Sequence, residues 1–299
     1  MRSPCFAFYR HLYGTDTEGH TDMKGRYWKI AAVCAVVALS TAALWQGLQT
    51  THYTLASPHL KKPVRFAVVT DLHSTWYGEN QSELVGAIER EHPDAVLLSG
   101  DIVDDKQPRD AAKAFLETIA QKYPTYYVLG NHEFRTPDPE EVKDWTRNLG
   151  VTVLDGTGET VTLNDQTVLI CGTDDPACGI ADFQNQFFAV SRMAQQTDAF
   201  TVLLSHRPEL IDWYTDAGFD LVVSGHAHGG QVRLPLVLPN GLIAPGQGLF
   251  PKYTTGLHEL ENTTLLVSRG LCRNGIPRVF NRPELVIIDV TPKNAYTGT

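Results

Sequence analysis

The sequence predicts an α/β fold in which a layered β-sandwich is flanked by helices. Five short apolar runs, helix-type segments between them and a turn-rich middle section lead to this prediction. The apolar face of a strand or helix must be buried against another element, so elements of both kinds pack in layers. We therefore expect two packed sheets with helices on the outside.

The five apolar runs are rich in β-branched residues and have the length of strands buried on both faces. They lie at 65–70, 95–99, 125–129, 200–205 and 221–224. Helical patterns lie between them at 81–91, 109–122, 139–149 and 208–217. Pro108, Pro139 and Pro208 stand near the starts of the last three, where a first helical turn accepts proline.

The middle section has the pattern of a β-meander. Three short runs are separated by turns that contain Gly, Asn or Asp, at 151–154, 160–163 and 167–171. Further strands are expected near the C-terminus at 264–268 and 285–290. The Gly- and Pro-rich stretch 229–261 is expected to be a long loop, and long loops inside compact domains are often functional.

The N-terminal part of the chain predicts a membrane tether. Residues 30–48 form an apolar run without a charged side chain, just long enough to cross a bilayer. We interpret them as a transmembrane signal-anchor, with a cleavable signal as the alternative. The basic segment 1–29 precedes the run, and residues 1–22 read as a mis-assigned start with translation beginning at Met23.

The remaining segments are assigned by composition. The polar stretch 49–63 contains two prolines and is predicted to be a linker. Residues 64–292 are predicted to form one folded domain, and 293–299 a tail. Lys24, Arg26 and Lys29 before the apolar run favour placing that domain on the extracytoplasmic side of an inner or cell membrane, although basic residues at 61–65 weaken the bias.

Charge and cysteine content exclude some classes. A formal net charge of −9 argues against a nucleic-acid binder with a broad basic surface. The five cysteines match no paired zinc module. Cys171 and Cys178 are compatible either with a local disulfide or with free buried thiols.

Side chains able to bind metals follow each of the five apolar runs. They are Asp71 and His73, then Asp101, Asn131 with His132 and Glu133, His206, and finally His226 and His228. Ligand sites in open α/β sheets gather beyond the carboxyl ends of the strands, so we expect one pocket. Carboxylate, imidazole and amide groups suit hard to borderline divalent cations, and there are enough of them for two ions.

The order D-x-H, G-D-x-x-D, G-N-H-E, S-H and G-H-x-H resembles the calcineurin-like metallophosphoesterase superfamily over residues 63–290. The contexts SHRPE (205–209), GHAHGGQ (225–231) and SRGLCRNGIPRVFNRPE (268–284) resemble its membrane-associated bacterial YaeI-like phosphodiesterase branch. Cys272 departs from the glycine that this branch would have in S-R-G-L-G. The resemblance implies the calcineurin-like metallophosphoesterase fold.

The resemblance also implies a site with two divalent ions, with manganese favoured and iron, zinc, nickel or cobalt as alternatives. It assigns one ion to Asp71, His73, Asp101 and His228, and the other to Asp101, Asn131, His206 and His226. His132 would protonate the leaving alkoxide, oriented by Asp104. Arg207, Arg269 and Asn274 are candidates for contact with the substrate phosphate, with a structural salt bridge as the alternative for each arginine.

The implied reaction is hydrolysis of a phosphodiester by in-line attack of a metal-bridging hydroxide on phosphorus. The substrate would be a small or lipid-linked phosphoester. Two alternatives stay open at this stage: a UDP-2,3-diacylglucosamine diphosphatase of lipid A synthesis, and a metal-stabilised scaffold without catalytic activity. A scaffold would be expected to have lost some of these ligands, whereas this sequence has every one of them.

Overall fold

The computed structural model describes residues 18–273 and 275–293, with side chains from residue 26 onward. The chain divides into two units, residues 1–44 and 45–299. The first unit contains helix α1 (Glu18–Ala43), and its part from Arg26 to Ala43 is long and apolar enough to cross a membrane, a test that a signal sequence also passes. The helix ends five residues before the predicted end at 48. Most of the suspected over-long start and of the predicted tail lie outside the described residues.

The second unit is built on two six-stranded sheets. Sheet 1 has the strand order β1 (Gln49–Ser57), β14 (Glu284–Pro292), β2 (Val64–Val69), β3 (Ala95–Ser99), β4 (Thr125–Val128) and β5 (Thr152–Val153). Sheet 2 has the order β12 (Gly256–Glu259), β13 (Thr264–Val267), β9 (Leu221–Ser224), β8 (Phe200–Leu204), β7 (Gln166–Gly172) and β6 (Thr157–Leu163). A small hairpin consists of β10 (Ile243–Ala244) and β11 (Gly248–Leu249).

Helices cover the outer face of each sheet. They are α2 (Ser82–Glu91), α3 (Asp110–Ala120) and α4 (Pro139–Asn148) on sheet 1, and α5 (Ile180–Ala194) with the short α6 (Ile211–Tyr214) on sheet 2. Three apolar cores hold the four layers together. Phe115 belongs to the core outside sheet 1, Phe66 to the core between the sheets and Phe183 to the core outside sheet 2. The predicted helix-flanked sandwich is confirmed.

Within each sheet, the strands that precede the ligand-type residues run parallel to one another. In sheet 1, β2, β3 and β4 pair in parallel, and in sheet 2 β8 pairs in parallel with β9. Parallel strands point their carboxyl ends at the same edge, so each sheet delivers its polar residues to one place. This topology positions the site.

The predicted linker at 49–63 is instead largely strand β1, which pairs in parallel with β14 at the edge of sheet 1. Burial alternates along the strand, with Tyr53 and Leu55 turned inward and His52 and Thr54 outward. Alternation with period two is the strand signal, but polar residues and the two nearby prolines outweighed it in the sequence. The folded unit therefore begins before residue 64.

The helix predicted at 208–217 is reduced to the four residues of α6. Arg207 is tied to Asp175, and its carbonyl accepts a hydrogen bond from the Tyr214 hydroxyl at 2.5 Å. These contacts hold the preceding segment in a turn, so proline at 208 does not start a helix. Helix α5 was not predicted from the sequence, although Phe183, Phe187 and Val190 recur there at helical spacing.

The predicted meander is divided between the two sheets. Strand β5 is the edge of sheet 1, whereas β6 and β7 form an antiparallel pair in sheet 2. Cys171 and Cys178 are free thiols, which agrees with the second of the two readings of these cysteines. The stretch 229–261 contains only the short strands β10, β11 and β12 and a single 3₁₀ turn at its start.

Candidate metal centre

The seven ligand-type residues lie where the two sheets converge. Sheet 1 contributes Asp71 and His73 after β2, Asp101 after β3 and Asn131 after β4, and sheet 2 contributes His206 after β8 and His226 and His228 after β9. Sheet 1 therefore supplies mostly oxygen ligands and sheet 2 supplies imidazoles. Asn131 lies between Gly130 and His132, and both of these neighbours contact Asp101.

One part of the site, which we call the Asp71 half, consists of Asp71, His73 and His228. The Nε2 atom of His228 lies 3.5 Å from Oδ1 of Asp71, and the Nε2 atom of His73 lies 4.0 Å from the same oxygen. The two imidazole rings stack with their centroids 5.2 Å apart. These separations suit groups that converge on one cation.

The other part, the His206 half, consists of His206, His226 and Asn131. The ligand atoms of Asp101, His206 and His226 all lie within 4.8 Å of one another. Oδ2 of Asp101 stands between the halves, 3.1 Å from Nε2 of His206 and 3.5 Å from Nε2 of His73. Asp101 is therefore the carboxylate that could touch both ions.

Unpaired buried atoms mark this cluster as a place for cations. Within the described part of the chain, five buried atoms of the predicted ligand set have no hydrogen-bond partner: Nε2 of His73, Oδ2 of Asp101, Oδ1 of Asn131, Nε2 of His206 and Nε2 of His226. A buried polar atom without a partner costs about 1–3 kcal/mol, so such a concentration needs an explanation. Coordination by metal would satisfy all five. The residues present fit the two divalent cations.

Backbone conformation points to the same cluster. Asp71, His73, Asp101, His226 and His228 all have φ between 46° and 64°, in the left-handed region. Non-glycine residues in this region are uncommon, and each costs about 1–3 kcal/mol unless the surrounding structure enforces it. Strain of this kind gathers at functional sites, where it aims side chains that an ordinary turn would direct elsewhere.

Hydrogen bonds to two histidines select the nitrogen that faces the centre. Nδ1 of His206 donates to the carbonyl of Ser99 at 2.8 Å, and Nδ1 of His73 lies 2.9 Å from Oδ2 of Asp104. With the proton on Nδ1, each ring offers its Nε2 lone pair toward the site. Metal-binding histidines are usually oriented in this way.

Glu133 holds the loops after β3 and β4 together by hydrogen bonds. Its buried carboxylate accepts hydrogen bonds from the backbone N–H groups of Asp101, Val103 and Gly130, and from the hydroxyl of Tyr127. Burial, with Asp101 nearby, raises the pKa of Glu133 to about 7. The last residue of G-N-H-E is thus a brace between two strand ends and does not point its carboxylate at the cations.

His132 lies at the rim and is paired differently from the prediction. Its Nδ1 is 2.6 Å from Oδ1 of Asp105 but 3.4 Å from Oδ2 of Asp104, which is closer to His73. Its Nε2 accepts from the exposed Arg135 at 3.0 Å. The carboxylate that orients His132 in this geometry is therefore Asp105, and Asp104 mainly orients His73.

The three candidates for phosphate contact differ. Arg207 is held by Asp175 through Nε at 2.7 Å and Nη2 at 2.9 Å, while its Nη1 lies 3.8 Å from Glu209. Arg269 is bound to the buried Glu284 at 2.8 Å. Both arginines thus form the salt bridges given as the alternative. Asn274 lies outside the described residues.

Electrostatics favour the protonation states that metal ligands need. Burial would raise the pKa of Asp101, but His206 and His73 hold it well below its usual range, while burial itself raises the pKa of Asp71. Burial also lowers the pKa of His226 and His228, which keeps both rings neutral. Two groups are exceptions: the raised pKa of Asp71 favours its neutral form, and at His206 the nearby Asp101 outweighs burial and raises the pKa of the ring to about 10. A cation would take the place of that proton.

Sequence reasoning missed three residues around the site. Asp105 follows Asp104 directly, and Asp175 belongs to a similar acidic doublet in TDDP, so adjacent carboxylates were the available signal. Glu209 in SHRPE is half-buried and lies 3.9 Å from Nε2 of His226. Burial raises the pKa of Glu209. Only the fold shows that Asp105 contacts His132, that Asp175 contacts Arg207 and that Glu209 lies beside His226.

A family profile described as calcineurin-like phosphoesterase matches residues 64–230. The chain belongs to the calcineurin-like phosphoesterase family. It is 28% identical over 257 residues to the metallophosphoesterase YkuE of Bacillus subtilis, covering 83% of this chain and 87% of that protein. It is 30% identical over 245 residues to the metallophosphoesterase Cj0846 of Campylobacter jejuni, covering 79% of this chain and 61% of that protein.

One vertebrate relative is named as a transmembrane protein. A transmembrane protein with a metallophosphoesterase domain from Danio rerio is 26% identical over 274 residues, covering 87% of this chain and 60% of that protein. This calcineurin-like phosphoesterase is accordingly a metal-dependent phosphoester hydrolase, and helix α1 together with such relatives favours association with a membrane. The narrower YaeI-like resemblance stays a prediction.

Proposed function

We propose that this chain is a phosphodiesterase that works with two divalent cations. One cation would be held by Asp71, His73, Asp101 and His228 and the other by Asp101, Asn131, His206 and His226. The group of unpaired buried atoms described above supports this assignment most directly. When bound, such a pair of cations lowers the pKa of water toward neutrality and neutralises charge on the phosphoryl oxygens.

The chain's own residues would orient the substrate and deliver a proton. His132 lies beside His73, with ring centroids 4.4 Å apart, and is partly exposed where a substrate would enter. Asp105 fixes its Nδ1, which leaves Nε2 to donate to the leaving alkoxide once Arg135 has moved aside. Interaction with Asp104 and other carboxylates outweighs burial and raises the pKa of His132, as an acid requires.

Charge balance favours a diester over a monoester. A diester carries one negative charge, whereas a monoester carries close to two at neutral pH. Arg207 and Arg269 are each neutralised by a carboxylate, Asp175 and Glu284. Neither arginine therefore supplies an uncompensated positive charge for the second charge of a monoester. We include manganese, zinc, cobalt and nickel as activating ions to be compared.

A substrate panel tests this proposal. The full-length protein in detergent is loaded with each metal and assayed with bis-p-nitrophenyl phosphate and with p-nitrophenyl phosphate. We expect kcat/KM to be at least about tenfold higher for the diester, a difference of about 1.4 kcal/mol. Faster hydrolysis of the monoester contradicts the diester preference, and no hydrolysis of either ester with any metal revives the scaffold alternative.

We further propose that helix α1 is a signal-anchor that holds the domain on the extracytoplasmic side. Lys24, Arg26 and Lys29, which lie in the N-terminal part of the helix before its apolar run, support this orientation. A reporter that is active only outside the cytoplasm, fused to the C-terminus, tests it. A cytoplasmic result contradicts the orientation and favours the UDP-2,3-diacylglucosamine diphosphatase alternative, whose substrate faces the cytoplasm.

A further inference from the structure

We infer that Cys272 supplies a thiolate ligand to the cation of the Asp71 half and gives that half a preference for zinc, cobalt or iron over manganese. This inference rests on the two-cation function proposed above. It adds one residue to the ligand set that the motifs imply. No other described cysteine lies in a comparable cluster of ligand atoms.

The position of the sulfur atom carries the inference. Sγ of Cys272 and one ring nitrogen each of His73 and His228 all lie within 4.8 Å of one another. A zinc ion with bonds of about 2.3 Å to sulfur and about 2.0–2.1 Å to nitrogen would hold adjacent ligand atoms about 2.9–3.6 Å apart. The three atoms are therefore at most about 1–2 Å further apart than a shared ion requires.

The backbone before Cys272 passes directly against Asp71. The N–H of Leu271 points at the carbonyls of Thr70 and Asp71, at 3.1 and 3.2 Å. Gly270 has φ of 71°, and a Cβ at this position would lie 2.6 Å from Cβ of Asp71. Only glycine allows this approach, and the approach places the next side chains at the metal centre.

Contacts on two sides fix the backbone at Cys272. Nε of Arg278 donates to the carbonyl of Cys272 at 2.8 Å, and the hydroxyl of Tyr77 donates to the carbonyl of Leu271. The guanidinium of Arg273 stacks over the ring of Tyr77 at 3.9 Å. Cys272 is buried, with 7% of the residue exposed, so its thiol is shielded from solvent.

The charge around this position suits a thiolate. The guanidinium of Arg278 is buried, and its Nη2 lies 3.4 Å from Nδ1 of His228. A nearby cation, whether guanidinium or metal, favours the thiolate form of cysteine. His73, which belongs to the same cluster, also has a buried Nε2 without a hydrogen-bond partner. Cys272 is thus placed as a ligand and not as an inert core thiol.

The expected consequence is a difference in metal preference between the halves. Thiolates favour zinc, iron and other softer cations, whereas carboxylates and amides suit manganese. The His206 half offers only oxygen and nitrogen ligands, from Asp101, Asn131, His206 and His226. Zinc, iron or cobalt would therefore enter the Asp71 half first.

X-ray absorption at the metal edge tests the inference directly. The full-length protein in detergent is stripped of metal, reloaded with zinc and compared with Cys272→Ser. We expect a sulfur neighbour at about 2.3 Å from zinc in the unmodified protein and none in the variant. Cys178→Ser is the matched control, since its thiol lies outside the metal cluster, and it should keep the sulfur signal.

Cobalt and competition experiments give independent readouts. The cobalt-loaded protein should show a near-ultraviolet band from thiolate-to-cobalt charge transfer, absent in Cys272→Ser and present in Cys178→Ser. In competition with manganese, the ratio of zinc affinity to manganese affinity should be at least about tenfold lower in Cys272→Ser than in the unmodified protein. If serine prevents folding, as judged by thermal unfolding, Cys272→Gly is measured instead.

The outcomes separate this inference from the proposed function. Two bound cations without a sulfur neighbour overturn the role of Cys272 and leave the two-cation proposal intact. A sulfur signal that survives in Cys272→Ser or Cys272→Gly also overturns it. Binding of fewer than two cations by the unmodified protein contradicts the proposed function itself.

Discussion

The Asp71 half and the His206 half share Asp101 but have different surroundings. The Asp71 half is closed by the loop after β13, which brings a buried thiol and the buried guanidinium of Arg278. The His206 half adjoins Arg207 and Glu209, which are partly exposed. Under the proposals above, the Asp71 half would select the metal and the His206 half would contact the substrate.

The largest effect is expected from replacing Asp101, the carboxylate that the two halves share. Asp101→Ala should reduce bound metal below two ions and lower kcat/KM by about 10³-fold or more, because a metal supplies several kcal/mol of charge stabilisation. Metal content by mass spectrometry and steady-state kinetics measure both. Asp165→Asn, at an exposed turn, is the control. A variant that still binds two ions rules out the bridging role of Asp101.

His132→Ala should separate chemistry from metal binding. We expect kcat to fall by about 10²–10⁴-fold, the usual contribution of a general acid, while two ions stay bound. The exposed His92→Asn variant serves as the reference and should behave like the unmodified protein. Loss of metal from His132→Ala would show that this residue is part of the cage instead.

The neighbouring carboxylates Asp104 and Asp105 should act on different steps. Asp104→Asn weakens the orientation of His73 and should lower metal affinity in the Asp71 half by about 10–100-fold. Asp105→Asn frees His132 and should lower kcat with metal affinity unchanged. Metal titration and kcat are measured for both variants. Equal effects of the two on both quantities contradict this division.

The smallest effect is expected at the substrate side of the His206 half. Arg207→Ala removes a guanidinium fixed by Asp175 beside the site and should raise KM by about tenfold, close to the energy of one charged hydrogen bond. Arg207→Lys should restore part of the loss. An unchanged KM in Arg207→Ala would mean that the Arg207–Asp175 pair serves structure alone.

The sequence predicted the strands that carry the ligands almost to the residue. The strands β3 and β9 begin and end where the predicted apolar runs do, because a strand buried on both faces is an uninterrupted run of apolar residues in the sequence. Strand β1 was not predicted because it has no such run: one of its faces is exposed to solvent, and polar residues alternate with Tyr53 and Leu55. Patterning is weakest where only half of a strand is buried.

The hydrogen-bond and ion-pair partners of the polar residues, unlike the buried strands, could not be predicted from the sequence. The motif G-D-x-x-D selects Asp104 over Asp105, but only their distances to the two histidines show which carboxylate lies beside which ring. Likewise Glu133 follows His132 in a ligand-rich motif but turns inward to bind three backbone N–H groups. Side-chain direction depends on backbone angles that residue types do not specify.

By itself the sequence determined the fold class and the ligand types, because buried strands, turns and metal-binding side chains each need particular residues at particular spacings. Only the tertiary structure decided that Cys272 approaches His73 and His228 and that Asp105 approaches His132. These contacts join positions far apart in the chain or choose between neighbours. They depend on how the edges of the two sheets meet, and the local sequence contains no pattern that specifies this arrangement.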